Sequence, residues 1–333
     1  MAEVVAIGDV NVDVLMAVDP YPAPGGCAIS QATSWQLGGS ATNAAIALRH
    51  LGLDTAMIGR VGVDPLATWV LEEMGAAGVD MGAVRQASDA MTGFCVVPAS
   101  PDGERTMFTE RGANARLSAE DVDESTIASA KWLHASGYML FTPEGRAAFA
   151  QAIETAHAHG RSISVDVGIG RALATHRTHL RRQLPAIDVL LANDDELTIL
   201  TGDREAGAAA HAVRAHGTDA VVLKRGASGC GAVTKTGEWE LPAVKLDPVD
   251  ATGAGDAFSA GVIAAQLAGL DWRSTVVLAN ALGGLSATRQ GAGRGLPGRT
   301  DAAQLIQHME RSDDWADWHR ELAVLKEWLG DSA

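Results

Sequence analysis

The sequence predicts an α/β protein, with a largely parallel sheet covered by helices on both faces and a smaller sheet serving as a lid. Three observations predict it. From Lys131 onward short apolar runs alternate with helical stretches, the βαβα rhythm of a parallel sheet. Val4-Val5-Ala6-Ile7-Gly8 opens the chain as a buried-strand run. Between residues 92 and 111 the rhythm breaks into a hairpin pattern.

Taken in order, the first strand is read as continuing through Asp9-Val10-Asn11-Val12-Asp13, where polar and apolar residues alternate. Strand periodicity then puts Asp9, Asn11 and Asp13 on one face. Such a polar face either holds a hydroxyl-rich ligand or marks an exposed strand end. Residues 20 to 26 are rich in proline and glycine and read as loop. Gly38-Gly39-Ser40-Ala41-Thr42-Asn43 opens a helix ending at Gly52, and its small residues let a ligand approach the first turn. A strand from Thr55 to Gly59 and a helix from about Pro65 to Met74 follow. Thr92 to Val97 and Arg105 to Thr109 flank a turn around Pro101-Asp102-Gly103. A two-stranded ribbon cannot bury itself, so this one is expected to pair with a strand from residues 11–35. Strands are expected at Trp132–Ser136, Ser162–Val167, Val189–Ala192 and Ala220–Lys224, with helices at Ala147–His157 and Ala206–His216. In such sheets ligands bind beyond the carboxyl ends of the strands, where Asn193 to Glu196 and Arg225-Gly226 fall. Trp315, Trp318, Leu322, Leu325 and Leu329 form a narrow apolar seam on a final helix, read as docked on its own domain.

Composition bounds the function. The chain has 333 residues, 47% of them hydrophobic and 20% charged, ample for a globular core. A formal charge of −15 opposes non-specific nucleic-acid binding, which relies on cationic surface. Cys27, Cys95 and Cys230 show neither disulfide nor zinc spacing, and no signal or membrane-spanning pattern is present, so the expected location is the cytoplasm, with no membrane partner.

The stretch with most chemical content is Asp250-Ala251-Thr252-Gly253-Ala254-Gly255-Asp256, which runs directly into an apolar helical pattern. Free amides of a helix start favour an anion, typically phosphate. Asp256 beside them would accept a proton from a hydroxyl, and the pair is what phosphoryl transfer to an alcohol needs. A glycine-rich turn with an N-capping aspartate explains the same stretch equally well.

Together with Gly38-Gly39-Ser40-Ala41-Thr42-Asn43-Ala44-Ala45 and the glycines Gly52 and Gly62, this stretch resembles the ribokinase-like (PfkB) carbohydrate kinases. The resemblance runs from the first strand to about residue 300, and the two motifs lie in the family's order. It implies a ribokinase-like three-layer sandwich with a mostly parallel central sheet and a small β-sheet lid. The kinase domain would span residues 1–300, with lid strands from about 11–35 and 90–113, and residues 301–333 would form a C-terminal helical extension. By resemblance, Asp256 is the general base, and Gly253, Ala254 and Gly255 supply the anion hole. Asn11, Asp13, Gly39 and Asn43 match the substrate-binding positions. Lys224, Gly226 and Gly229 match a turn that receives nucleotide phosphates, and Asn280 falls in the adenine pocket. Asn193 and Glu196 match an Asn-x-x-Glu motif that organises Mg²⁺ through water. Asp250, Thr252, Ser286, Arg289 and Gly291 match a loop that binds K⁺, mainly through carbonyls.

The activity implied is transfer of phosphate from ATP, with Mg²⁺, to a hydroxyl of a small sugar: a pentose, ketohexose or sugar acid. A ribonucleoside kinase shares the motifs but needs an aromatic platform, for which Trp35, Phe94 and Phe108 are the candidates; the chain is only 5% aromatic, which leans toward a sugar. A catalytically silent sugar- or nucleotide-binding regulator is a third reading. Gly112 to Leu117 resembles ribokinases, whereas Ser40-Ala41-Thr42 departs from their Lys-Gly-Ala, and Ala251 also departs from the family's usual residues. A homodimer through the lid is a further expectation. Gly168-Ile169-Gly170 superficially resembles a dinucleotide fingerprint, but Leu173 stands where its last glycine belongs. His176 and His179 read as solvated, and Cys230 as a packing residue.

Overall fold

A computed structural model describes residues 1–100 and 106–330. The strands are β1 (Val4–Ile7), β2 (Asn11–Ala17), β3 (Ala32–Gly38), β4 (Thr55–Val61), β5 (Asp80–Gln86), β6 (Gly93–Ala99), β7 (Phe108–Glu110), β8 (Trp132–Ser136), β9 (Ser162–Asp166), β10 (Val189–Ala192), β11 (Ala220–Lys224), β12 (Cys230–Thr234) and β13 (Glu238–Leu241). Nine form one sheet in the order β13-β12-β11-β10-β9-β8-β1-β4-β5, parallel from β11 to β5 and antiparallel at the β12–β13 edge. Alternate residues of β1 point to opposite faces, Val4 and Ala6 into one apolar core and Val5 and Ile7 into the other.

The helices are α1 (Ser40–His50), α2 (Pro65–Ala76), α3 (Glu124–Ser129), α4 (Pro143–Ala158), α5 (Leu173–Gln183), α6 (Asp194–Thr201), α7 (Ala206–Ala215), α8 (Ala254–Leu267), α9 (Trp272–Ala287), α10 (Arg299–Met309) and α11 (His319–Gly330). Residues of α1, α2 and α8 to α11 fill the first core, and those of α3 to α7 the second. This is the three-layer arrangement that the strand–helix rhythm predicts. Among the described residues no helix is long and apolar enough to cross a membrane.

The remaining strands form the lid, in the order β3-β2-β6-β7. The expected hairpin is present as β6 and β7, and β2 from residues 11–35 is the strand it pairs with; the predicted turn at residues 101–103 lies outside the described residues. One expectation changes. The first strand does not continue to Asp13: β1 ends at Ile7, and Asn11 begins a strand of the other sheet. Gly8, at φ 155°, and the short link after it carry the chain between sheets, and Asp9 sits in the link with its carboxylate on Arg111 (2.8 Å). The final seam is also divided. A 3₁₀ turn over Asp313–Trp318 precedes α11, with Trp315 outside helical backbone angles, yet Trp315, Leu322, Leu325 and Leu329 are all buried in the core.

Candidate active site

The carboxyl ends of the parallel strands and the inner face of the lid enclose the site. One cavity of about 710 Å³ is lined by Asn11, Asp13, Gly39, Ser40, Asn43 and Asp256, among others. A second, of about 660 Å³, is lined by Asn193 to Glu196, Arg225, Gly226 and Ser228. Gly168, Lys224 and Gly255 line both.

Two helix starts face the first cavity. Gly39 caps α1 at φ 92°, and a Cβ there would lie 2.2 Å from the Asp9 carbonyl oxygen. Gly253 caps α8 at φ 76°, and its Cβ would lie 2.9 Å from both Ala292 Cβ and Leu296 Cδ2. Both positions require glycine on steric grounds alone. The Ala254 amide donates to the Ala251 carbonyl (3.1 Å), so the amides of Gly253 and Gly255 are the members of the predicted trio left for an anion.

Asp256 stands in the first turn of α8 and accepts from Ser40 Oγ (2.7 Å) and Asn43 Nδ2 (2.9 Å). Asn43 also accepts from the Gly293 amide (3.3 Å), so this predicted substrate ligand fixes the carboxylate in place. Ser40 occupies a position where the sequence departs from ribokinases, and sequence reasoning passed over it. Burial and the charge of Asp166 push Asp256 up to about 6, against the opposing hydrogen bonds of Ser40 and Asn43 and the charge of Lys224.

Asp13 projects from the lid. Its cross-strand row runs Gln36–Asp13–Cys95–Thr109, and the last three of these line the cavity. A Cβ on Gly38 would lie 2.1 Å from Asp13 Oδ1, which explains the first glycine of the pair. Burial, then repulsion from Asp256, pushes Asp13 up to about 7. Asn11 Oδ1 accepts from Asn114 Nδ2 (2.7 Å), and Asn114 also brackets Val10 through its amide and carbonyl (2.8 and 3.1 Å). Asn114 thereby braces the crossing between sheets, a role that the Gly112–Leu117 resemblance left unassigned.

Asp166, at the end of β9, was also missed. Its oxygens accept from Lys224 Nζ (2.6 and 2.7 Å), and Ser259 Oγ donates to it (2.9 Å). Burial works against the Lys224 ammonium, but the charge and hydrogen bonds of Asp166 outweigh it and hold its pKa above the usual lysine value. The one sequence signal available was a charged residue closing an otherwise uncharged strand, Ser162–Val165, and it acquires meaning only from Lys224 and Ser259.

In the second cavity, Asn193 caps α6. Its Oδ1 accepts from the Glu196 amide (2.8 Å), and Glu196 accepts from the amides of Asn193 (3.0 Å) and Gly170 (2.8 Å). The Asn-x-x-Glu pattern is therefore a capping box, and Glu196, raised by burial against those amides, has both oxygens engaged. Among the described residues no cluster of three or more His, Cys, Asp or Glu could hold a metal. The donor set fits a hydrated Mg²⁺ carried in by phosphates, and does not fit an all-protein cage. Gly226 lines this cavity, whereas Gly229 serves the sheet, since a Cβ there would lie 1.9 Å from the Leu241 carbonyl. Asn280 lines neither cavity, and its Nδ2 donates to the Pro242 carbonyl (2.7 Å).

Asp250 gathers the predicted cation loop by accepting from the amides of Thr252 (2.7 Å) and Gly291 (2.9 Å). Arg289 is turned to the Gly295 carbonyl (3.2 Å) and to Asp301, and Ser286 Oγ is buried without a hydrogen-bond partner. None of Trp35, Phe94 or Phe108 lines the cavity; its aromatic wall is Tyr138 and Phe141, with ring centroids 5.7 Å apart. His176 sits edge-on to Phe141 at 5.3 Å, so it is a packing residue of that wall. Cys230 is buried and its thiol is pushed up to about 12 by desolvation, in keeping with a packing role.

Comparison with known proteins gives the family and the fold. The family model described as pfkB family carbohydrate kinase matches residues 1–299. An ATP-dependent ribose-1-phosphate kinase of Halopiger xanaduensis is 35% identical, covering 88% of this chain and 94% of the relative. A 2-dehydro-3-deoxygluconokinase of Thermoproteus tenax is 30% identical over 81% of this chain and 85% of the relative. A solved structure from E. coli, provisionally assigned as ribokinase II and in complex with ATP and Mg²⁺, superposes with a TM-score of 0.84 at 25% identity, covering 92% of this chain and all of that one.

Proposed function

The chain belongs to the pfkB family of carbohydrate kinases, phosphotransferases with an alcohol group as acceptor, and on that footing we propose that it transfers phosphate from ATP to a hydroxyl of a small sugar bound beneath the lid. The observation that carries this reading is Asp256, fixed by Ser40 and Asn43 at the start of α8, where the two cavities meet. ATP and Mg²⁺ are assigned to the second cavity; Mg²⁺, held by water between Asn193, Glu196 and the phosphates, would neutralise phosphate charge. Asn11 and Asp13 would hold substrate hydroxyls, since an amide and a carboxylate pair with both O–H groups and lone pairs. Asp256 would take the proton of the attacking hydroxyl, and the Gly253 and Gly255 amides would receive charge on the moving phosphoryl group.

An ADP-release assay across pentoses, ketohexoses, sugar acids, ribose 1-phosphate and nucleosides tests the reading, and its repetition in K⁺ and Na⁺ buffers tests the proposed cation loop. Asp256→Asn is expected to keep sugar binding and lose about 10²–10⁴-fold in turnover. Near-normal turnover would sink the assignment. A nucleoside acceptor is the second reading, supported by the Tyr138–Phe141 wall, and the same panel separates it. ATP binding without ADP release from any acceptor would favour a silent regulator.

A second copy of the chain is proposed against the outer face of the lid. There Trp35, Val14, Val96 and Phe108 form one cross-strand row, with Trp35 and Phe108 more than half exposed at 54% and 57%. Sedimentation that returns only monomer at assay concentrations removes this proposal.

A further inference from the structure

Lys224 stands apart from the other residues assigned to nucleotide phosphates. It ends β11, lines both cavities, and is largely withdrawn from solvent, with 17% of its side chain exposed. A Cβ built on Gly255, which lines both cavities and is one of the two residues proposed to receive phosphoryl charge, would lie 3.4 Å from its Nζ. Its position is over-determined: both oxygens of Asp166 hold the ammonium, and Ser259 holds Asp166 from the helix that also carries Asp256. An ammonium has three N–H donors. With two directed at Asp166, one remains for whatever occupies the junction.

Resting on the kinase reading above, we propose that Lys224 is a catalytic residue of the transfer step, donating to the phosphoryl group as it passes between the cavities, and that Asp166 is the positioning residue that aims it. In that step the bond between the γ-phosphorus and the bridging oxygen of ATP breaks, and its electron pair leaves with ADP. The acceptor oxygen bonds to phosphorus, and its proton goes to Asp256. Charge spreads over the three oxygens of the phosphoryl group during the transfer. A fixed donor beside the Gly253 and Gly255 amides is worth most at that moment, because it needs no reorganisation and works in a water-poor site. A lysine serving only to bind ATP would not need to line the acceptor cavity as well. The ion pair also keeps the junction from carrying an uncompensated cation, which would favour trapped product phosphate over release.

The test compares Lys224→Met and Lys224→Arg with wild type in full steady-state kinetics, together with calorimetric binding of ATP and of ADP with aluminium fluoride. Lys224→Met is expected to lower kcat by about 10²–10³-fold, the loss typical of one transition-state donor. KM for ATP and acceptor should change little, and the tight aluminium fluoride complex should be lost while ATP binding persists. Because Lys224→Met leaves Asp166 unpaired, the double variant Asp166→Asn with Lys224→Met serves as the folded, charge-balanced check and should show the same kcat loss. Asp166→Asn alone should lower kcat while sparing both KM values, and Lys224→Arg should recover part of the rate. A raised KM for ATP with kcat intact would overturn the proposal and leave Lys224 as a nucleotide ligand. A lower Tm with unchanged kinetics in the double variant would overturn it as well. If wild type turns over and Asp256→Asn does not while the Lys224 variants stay active, this inference alone fails; an active Asp256→Asn fails the kinase reading instead.

Discussion

Asp13 reaches the cavity from the lid sheet and Asp256 from the first turn of α8, and the cost of keeping both charged falls on the folded protein. Asp13 is raised to about 7 in the fold by burial and by Asp256, against about 3.9 in an unfolded chain. Between those values the native state holds a proton that the unfolded state has released. The stability tied to Asp13 is therefore fully present below the unfolded value and is lost as pH rises toward 7. Asp13→Asn removes the loss. Its Tm should match wild type near pH 4 and exceed it by a growing margin up to about pH 7, above which the margin levels, while acceptor affinity falls. Thermal melts across that range check this, and a margin independent of pH would contradict it. The two carboxylates titrate as a pair, so the melts report the pair and not one microscopic site. At this scale the sequence was partly legible. Asp256 and the glycines announced themselves because close backbone approach permits few residues; Ser40 and Asp166 did not, because a serine and a strand-end aspartate acquire meaning only from partners 216 and 58 positions away.

Elements were legible where a local rule decides them. The hairpin followed from alternation and turn residues, and its pairing with β2 followed from the need to cover a ribbon. The same alternation separates the two lid faces: Asp13, Cys95 and Thr109 turn to the cavity, while Val14, Val96 and Phe108 take the opposite face, where Val14 packs against the first core. A one-residue slip would exchange those rows and remove Asp13 from the cavity. The β1–β2 boundary was not legible, since the polar alternation of residues 9 to 13 reads the same whether the strand continues or changes sheet. Asn193 and Glu196 show the complementary ambiguity. Their spacing satisfies a capping box and a magnesium motif alike, and the structure gives the box in full. The two roles are compatible because the box holds the carboxylate at the cavity wall, where outer-sphere contact through water remains open.

On the scale of the whole molecule, the site depends on packing that lies far from it. The family match ends at residue 299, and α10, the 3₁₀ turn and α11 follow. These segments lie on α9 and close the first core: Arg273 stacks over Trp318 at 4.5 Å and pairs with Glu321 at 2.9 Å, and Arg299 stacks over Trp328 at 4.4 Å. Helix α9 in turn packs on α8, whose first turn carries Asp256. The apolar seam of Trp315, Leu322, Leu325 and Leu329 is thus part of the support beneath the base, even though no residue of it lines either cavity. Leu325 is fully buried, and Leu325→Ala should cost about 2–5 kcal/mol through lost transfer energy and the cavity left behind. In a chain of this length each kcal/mol lowers Tm by about 2 °C, so the variant should melt several degrees early. Because the contact is supportive and not chemical, kcat and both KM values measured well below the melt should stay close to wild type. A large kinetic defect at such temperatures would show that the extension acts on the site directly, and an unchanged Tm would show that α11 is not part of the cooperative core.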